Sequence, residues 1–151
     1  MKIKIGIDCG VNTGFAVAID GILTRVESMT ITQAMEAVKE LHKQHPNLIV
    51  RIEDARKRTW FGNADARQAK SGAGVREGVG SVKRDCSIWE QFCVEQGIQF
   101  DLVHPAANIT KTKDAYFKKI TGWSGRTNEH GRDAAMLVHQ FKASSGLLPV
   151  S

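Results

Sequence analysis

The first twenty residues constrain this chain more than any other stretch. Ile3, Ile5 and Ile7 alternate with Lys4 and Gly6, the two-residue period of a strand. The run stops at Asp8, passes through Cys9-Gly10-Val11-Asn12-Thr13-Gly14 and resumes as an apolar run from Phe15 to Ile19. Two apolar runs joined by glycine and asparagine read as a β-hairpin. Asp8 is the unusual residue. A carboxylate at the end of a buried strand is costly unless it is paired, hydrogen-bonded or holding a cation. The rest of the chain must therefore supply Asp8 with partners.

Following the chain, Asp20-Gly21 is a tight-turn signal, and Gly21 to Met29 supplies a third strand. Thr30 or Thr32 caps the next helix, which carries Ala34, Met35, Val38 and Leu41 on one face and ends at Pro46-Asn47. Leu48 to Ile52 is a short β-branched strand with Glu53 and Asp54 at its exit. From Ala55 to Ser81 charges and glycines dominate, which predicts a long mobile loop joining a helix near Val75. Val82 to Gln96 reads as a helix stopped by Gly97, and Phe100 to His104 as a strand stopped by Pro105. A short basic helix spans Lys113 to Thr121, and a last helix runs from about Asn128 to Phe141. The order β-β-β-α-β-loop-α-β-α-α implies an α/β fold, a mixed five-stranded sheet covered by helices. At 151 residues with 42% hydrophobic content, one domain over 1–143 is expected, with 144–151 a flexible tail.

No apolar run reaches the roughly 20 residues of a membrane span, and the strand-like start lacks signal-peptide architecture. Three scattered cysteines suit a reducing cytosol, so a cytoplasmic location is expected. Cys86 and Cys93 at helical spacing read as buried apolar residues rather than metal ligands. The net charge of +5 permits a polyanionic partner. Its distribution says more: Arg51, Arg56, Lys57, Arg58, Arg67, Lys70, Arg76, Lys83 and Arg84 fall in one third of the chain, and Lys111, Lys113, Lys118 and Lys119 form a second group.

Candidate partners for Asp8 are Glu53, at the end of strand four, and the pair His130 and Asp133, which share a helix face at i, i+3. Ala134, Leu137, Val138 and Phe141 give that helix an apolar stripe for docking on the sheet. Clustered acids repel, so the site requires cations, and hard oxygens with one imidazole suit Mg²⁺ or Mn²⁺. Paired divalent ions about 4 Å apart activate water and stabilise the leaving oxygen in phosphodiester cleavage. Taken singly, each residue has a plainer role. Asp8 can be an Asx-turn residue, Glu53 and Asp54 solvated acids, and Asp133 a partner of Arg132 or Arg126.

The stretches IGIDCGVNTGFAVA (5–18), IVRIEDA (49–55) and HGRDAAMLV (130–138), with the element order between them, make the chain resemble the RuvC-like Holliday junction resolvases of the RNase H-like superfamily, bacterial or phage-encoded. The resemblance implies the RNase H-like version of the mixed sheet, three antiparallel strands and then two parallel ones. It implies a homodimeric, structure-specific endonuclease that resolves four-way branched DNA by symmetric phosphodiester hydrolysis. Asp8 would bridge two Mg²⁺ (or Mn²⁺) ions, and Glu53, Asp133 and His130 would complete the ligand set, with Glu129 the alternative fourth ligand and Asp54 an outer position. Lysines after strand five would contact the scissile backbone, Lys113 in preference to Lys111, and Lys113 thereby joins the catalytic set. A dimer interface would lie near the Val82–Gln96 helix, for which a plain core helix is the other reading.

Arg56, Lys57 and Arg58 immediately follow Glu53, so their charges would flank the ions, with Trp60 and Phe61 placed to stack on bases or wedge the junction. Both aromatics equally suit the core or a subunit contact. Three alternatives remain open: a nuclease for RNA–DNA hybrids or flaps, a non-catalytic branched-DNA-binding module, and a fragment of an actin-like phosphotransferase, for which one 151-residue half is too short.

Overall fold

The computed structural model describes residues 1–57, 73–108 and 110–139, leaving aside the side chains of 73–79 and Ala106. Five strands form one sheet: β1 (Ile3–Asp8), β2 (Thr13–Ile19), β3 (Ile22–Met29), β4 (Ile49–Glu53) and β5 (Gln99–Val103), in the order β3-β2-β1-β4-β5. The first three strands are antiparallel neighbours, whereas β4 lies parallel to β1 and β5 parallel to β4. This is the mixed sheet expected from the strand order. Among the described residues four helices flank it: α1 (Ile31–Gln44), α2 (Ala73–Gln96), α3 (Asp114–Thr121) and α4 (Glu129–Met136). The turn before β3 takes left-handed backbone at both Asp20 (φ 51°) and Gly21 (φ 85°), as an Asp-Gly hairpin requires.

The two-residue period of the strands separates two cores. Ile3, Ile5 and Ile7 of β1, Phe15 and Val17 of β2, and Val50 and Ile52 of β4 point to the face covered by α1 and α2. There they meet Ala34 and Val38 of α1 and Cys86, Trp89 and Cys93 of α2. The opposite face of β2 carries Ala16 and Ala18, packed with Ala134, Ala135 and Met136 of α4 and Phe117 of α3. Thr30 caps α1 by accepting from the Gln33 amide at 3.2 Å, while Gln33 Oε1 accepts from the Thr30 amide at 3.0 Å. Thr30→Ala should lower stability by about 1 kcal/mol in chemical denaturation.

Two boundaries differ from the sequence reading. The helix expected near Val75 and the one expected over Val82–Gln96 are a single helix, α2, which starts at Ala73 inside the stretch read as a loop to Ser81, despite Gly74, Gly78 and Gly80 in its opening turns. The propensity deficit of about 1 kcal/mol per glycine is overridden by the buried row Cys86, Trp89 and Cys93 further along the same helix. That row lies in the core, while Ile88 and Val94 of the same helix stay exposed. At the other end, α4 stops at Met136 instead of continuing to Phe141. The amides of Leu137 and Val138 turn to the carbonyls of Ala134 and Ala135, and Arg51 Nη1 takes the Leu137 carbonyl at 2.7 Å. Phe141 and the 144–151 tail lie outside the described residues. Among the described residues no helix is long and apolar enough to cross a membrane.

Candidate active site

Ile7 of β1 pairs with Ile52 of β4, so Asp8 and Glu53 are the next residues along on adjacent parallel strands. Both stand on the face opposite the isoleucines, which is the face that α4 covers. The helix approaches closely because that face carries Gly6 and Gly14. A Cβ on Gly14 would lie 2.0 Å from the His130 carbonyl oxygen, and one on Gly6 would lie 2.1 Å from that of Ala134. Asn128 starts α4 by accepting from the Gly131 amide at 2.8 Å, and its Nδ2 donates to Ser28 Oγ at 2.9 Å. So anchored, α4 places His130 Nδ1 3.2 Å from Asp8 Oδ2, with the shared proton on either partner. Glu129, the alternative fourth ligand, is exposed on the first turn.

One turn further, Asp133 is buried at 9% exposure. Its Oδ1 accepts from the Lys111 amide at 2.7 Å. Asn108 Nδ2 donates to Glu53 Oε1 at 2.8 Å and to the Asp133 carbonyl at 3.2 Å. Arg132 Nε donates to the Thr112 carbonyl at 2.6 Å, tying the chain beyond Lys111 to α4. From beneath, the Cys86 thiol donates to the Glu53 carbonyl at 3.5 Å, and the Cys9 thiol reaches it at 4.0 Å. The Asn108 side chain and the Lys111 amide were not anticipated from sequence. Asn108 has no periodic neighbours, and no local pattern marks Lys111 as left-handed (φ 57°).

The electrostatics show a strained cluster. Burial pushes the Asp8 carboxyl up to about 7; the hydrogen bond to His130 opposes the rise, and the charges of Asp133 and Glu53 add to it. Burial also raises Asp133, the Lys111 amide opposes it, and Glu53 and Glu129 raise it further. These acids therefore feel one another across the sheet end. Among the described residues no three His, Cys, Asp or Glu side chains form a ready-made cation cage. The donors fall into two halves, Asp8 with His130 and Glu53 with Asp133. Their chemistry nevertheless suits a hard divalent cation: carboxylate oxygens and one imidazole, short of positive charge, with the repulsion already raising Asp8.

The expected phosphate-binding residues divide. Arg56, expected to flank the ions, is committed inside the protein. Its Nε and Nη2 donate to Asp54 at 2.7 and 2.9 Å, Nη2 also donates to Glu90 at 2.7 Å, and Nη1 donates to Ser87 at 3.1 Å. Asp54 is correspondingly neither solvated nor among the other acids; its side chain is 3% exposed. Burial would raise it, but the side-chain and backbone hydrogen bonds from Arg56 hold it below the ordinary carboxylate range. Lys57 is exposed and donates to the Leu102 carbonyl at 3.1 Å, leaving ammonium donors for another acceptor. Lys111 and Lys113 both have exposed side chains, and Lys113 is the N-cap of α3. Arg58, Trp60 and Phe61 lie outside the described residues.

No protein-family model matches the chain, and no curated protein matches it in sequence. Among solved structures, the fold is similar to that of T. thermophilus RuvC in complex with Holliday junction substrate, with a TM-score of 0.58 and 17% identity over 97% of each chain. At that identity the likeness is one of fold: an RNase H-like sheet of three antiparallel and two parallel strands, flanked by helices.

Proposed function

We propose that this chain is a metal-dependent endonuclease that resolves four-way DNA junctions, acting as a homodimer in the cytoplasm of a bacterial host. One observation carries the reading. Two carboxylates end adjacent parallel strands, and a docked helix brings His130 to within 3.2 Å of the first, in a fold similar to that of a protein solved with a Holliday junction. Asp8, Glu53, Asp133 and His130 are the residues that would hold Mg²⁺ or Mn²⁺. Divalent ions there would supply an activated water and charge neutralisation at the scissile phosphate.

The protein's own contribution is placement. The strand ends fix Asp8 and Glu53 relative to each other, because the parallel register allows neither to slide. His130 Nδ1 stands at hydrogen-bond distance from Asp8 Oδ2, and the ring holds that side chain in place from α4. Lys57, Lys111 and Lys113 are the described cations offered for backbone phosphates, which position DNA without reading its sequence. A dimer would present two such sites about a two-fold axis, matching the two symmetric cuts that resolution requires.

The test is cleavage of a labelled mobile four-way junction beside linear duplex of the same sequence, with Mg²⁺ and with EDTA. Junction-selective cutting that EDTA stops is the expected result. Equal cutting of both substrates would remove junction resolution and leave a general nuclease, for which RNA–DNA hybrids and flaps are the next substrates. Tight junction binding with no cutting in any divalent metal would leave a binding module.

A further inference from the structure

We propose that the Asn108 side chain and the Lys111 main-chain amide form a positioning clasp that sets Glu53 and Asp133 for cation binding. The inference rests on reading those two acids as cation ligands. Asn108 spans two elements, its Nδ2 reaching Glu53 Oε1 on β4 and the Asp133 carbonyl on α4. Both neighbours are acceptors, so only the amide nitrogen can face them. That orientation leaves Asn108 Oδ1 buried with no partner. A buried acceptor left unpaired is a standing cost, which folding alone gives no reason to keep.

Lys111 makes the second half. Its amide reaches Asp133 Oδ1 at 2.7 Å because its backbone is left-handed (φ 57°), a conformation that few non-glycine residues adopt. The next residue is held in turn, through the Thr112 carbonyl, by Arg132 Nε on α4. One neutral donor is thus supplied to each carboxylate, and neither donor adds a charge that would compete with a cation. Supporting groups of this kind orient metal ligands, and their loss typically weakens metal affinity or activity about 10- to 100-fold.

The experiment is calorimetric titration of the full chain with Mn²⁺ in the absence of DNA, alongside cleavage across a range of Mn²⁺ concentrations. Asn108→Ala should weaken Mn²⁺ binding about 10-fold or more and shift the cleavage midpoint equally, with cutting restored toward wild type at saturating Mn²⁺. Its junction binding in EDTA should be unchanged. Lys111→Val, which resists the left-handed backbone, should weaken Mn²⁺ binding in the same direction. Lys111→Gly, which keeps both the backbone and the amide, should match wild-type Mn²⁺ affinity. This pair decides the question even if Asn108→Ala fails to fold. Wild-type affinity in both Asn108→Ala and Lys111→Val overturns the clasp, as does a Lys111→Gly loss equal to that of Lys111→Val, since the side chain would then be the active part. A wild-type chain that binds and cuts beside unaltered variants defeats the clasp alone. A wild-type chain that binds no Mn²⁺ defeats the nuclease reading and the clasp with it.

Discussion

Asp8→Asn should abolish the proposed junction cleavage, by about 10³-fold or more, leave junction binding in EDTA nearly intact, and stabilise the metal-free protein above neutral pH. The rate loss follows from removing a carboxylate proposed to hold the cation, since electrostatic stabilisation by a held cation is worth several kcal/mol. The stability gain follows from the buried charge. The Asp8 carboxyl, only 18% exposed, keeps its proton in the folded protein up to about pH 7. An unfolded aspartate releases its proton near pH 4. Between those values the folded state binds more protons, so wild-type stability falls as pH rises through that window and levels off above it. A shift of this size corresponds to about 4 kcal/mol lost by pH 8, and asparagine has no proton to lose. Stability read from denaturant midpoints in EDTA should therefore fall between pH 4 and pH 8 by about 4 kcal/mol more for wild type than for Asp8→Asn, in which Asp133 is still raised by burial. Added Mg²⁺ should return stability to wild type only, because a ligand of the native state stabilises in proportion to its occupancy. A variant that still cut at the wild-type rate would remove Asp8 from the site. Parallel pH profiles for the two proteins would remove the claim that its charge opposes folding.

The parts of this arrangement that were legible in the sequence are those written in strand periodicity. Ile3, Ile5 and Ile7 against Gly6 and Asp8 announce a two-faced strand, and an acid at its end announces either strain or a site. Glu53 repeats that signature on β4, and the i, i+3 spacing of His130 and Asp133 survives whatever the exact length of α4. The acid-face contacts were less legible because they depend on tertiary approach. Arg56 looked like the start of a basic run, and only the fold brings Glu90, 34 residues away, to meet it. Its two side-chain bonds to Asp54 then convert an expected phosphate contact into an internal brace. Asn108 and Lys111 are harder still. A loop asparagine has many uses, and a left-handed lysine has no sequence signature at all. The start of α2 was obscured by glycines that lower helix propensity, a local preference that the buried Cys86, Trp89 and Cys93 row outweighs.

The same local-versus-tertiary distinction predicts opposite signs for one substitution at two glycines. At Gly80, on the exposed part of α2, an added Cβ meets nothing within 4 Å. Gly80→Ala should therefore stabilise by up to about 1 kcal/mol, as alanine does in any open helical position. At Gly14 the new atom would lie 2.0 Å from the His130 carbonyl oxygen, 2.6 Å from its carbon and 2.9 Å from Asp8 Cβ. The first two contacts are backbone, so no rotamer change relieves them. Helix α4 must lift, yet it is tied at its start by the Asn128 cap and at its end by Arg51 on the Leu137 carbonyl. Gly14→Ala should cost about 3 kcal/mol or more, at the upper end of overpacking penalties, read from denaturant midpoints. The atoms that clash belong to His130 and Asp8, so the damage falls on the proposed chemistry as well as on the core. At a temperature where the variant remains folded, cleavage should drop about 100-fold, the effect of misplacing reacting groups by about 1 Å. A folded Gly14→Ala protein with normal cleavage would mean that α4 need not press on β2 for the site to work. It would also separate the His130–Asp8 contact from catalysis.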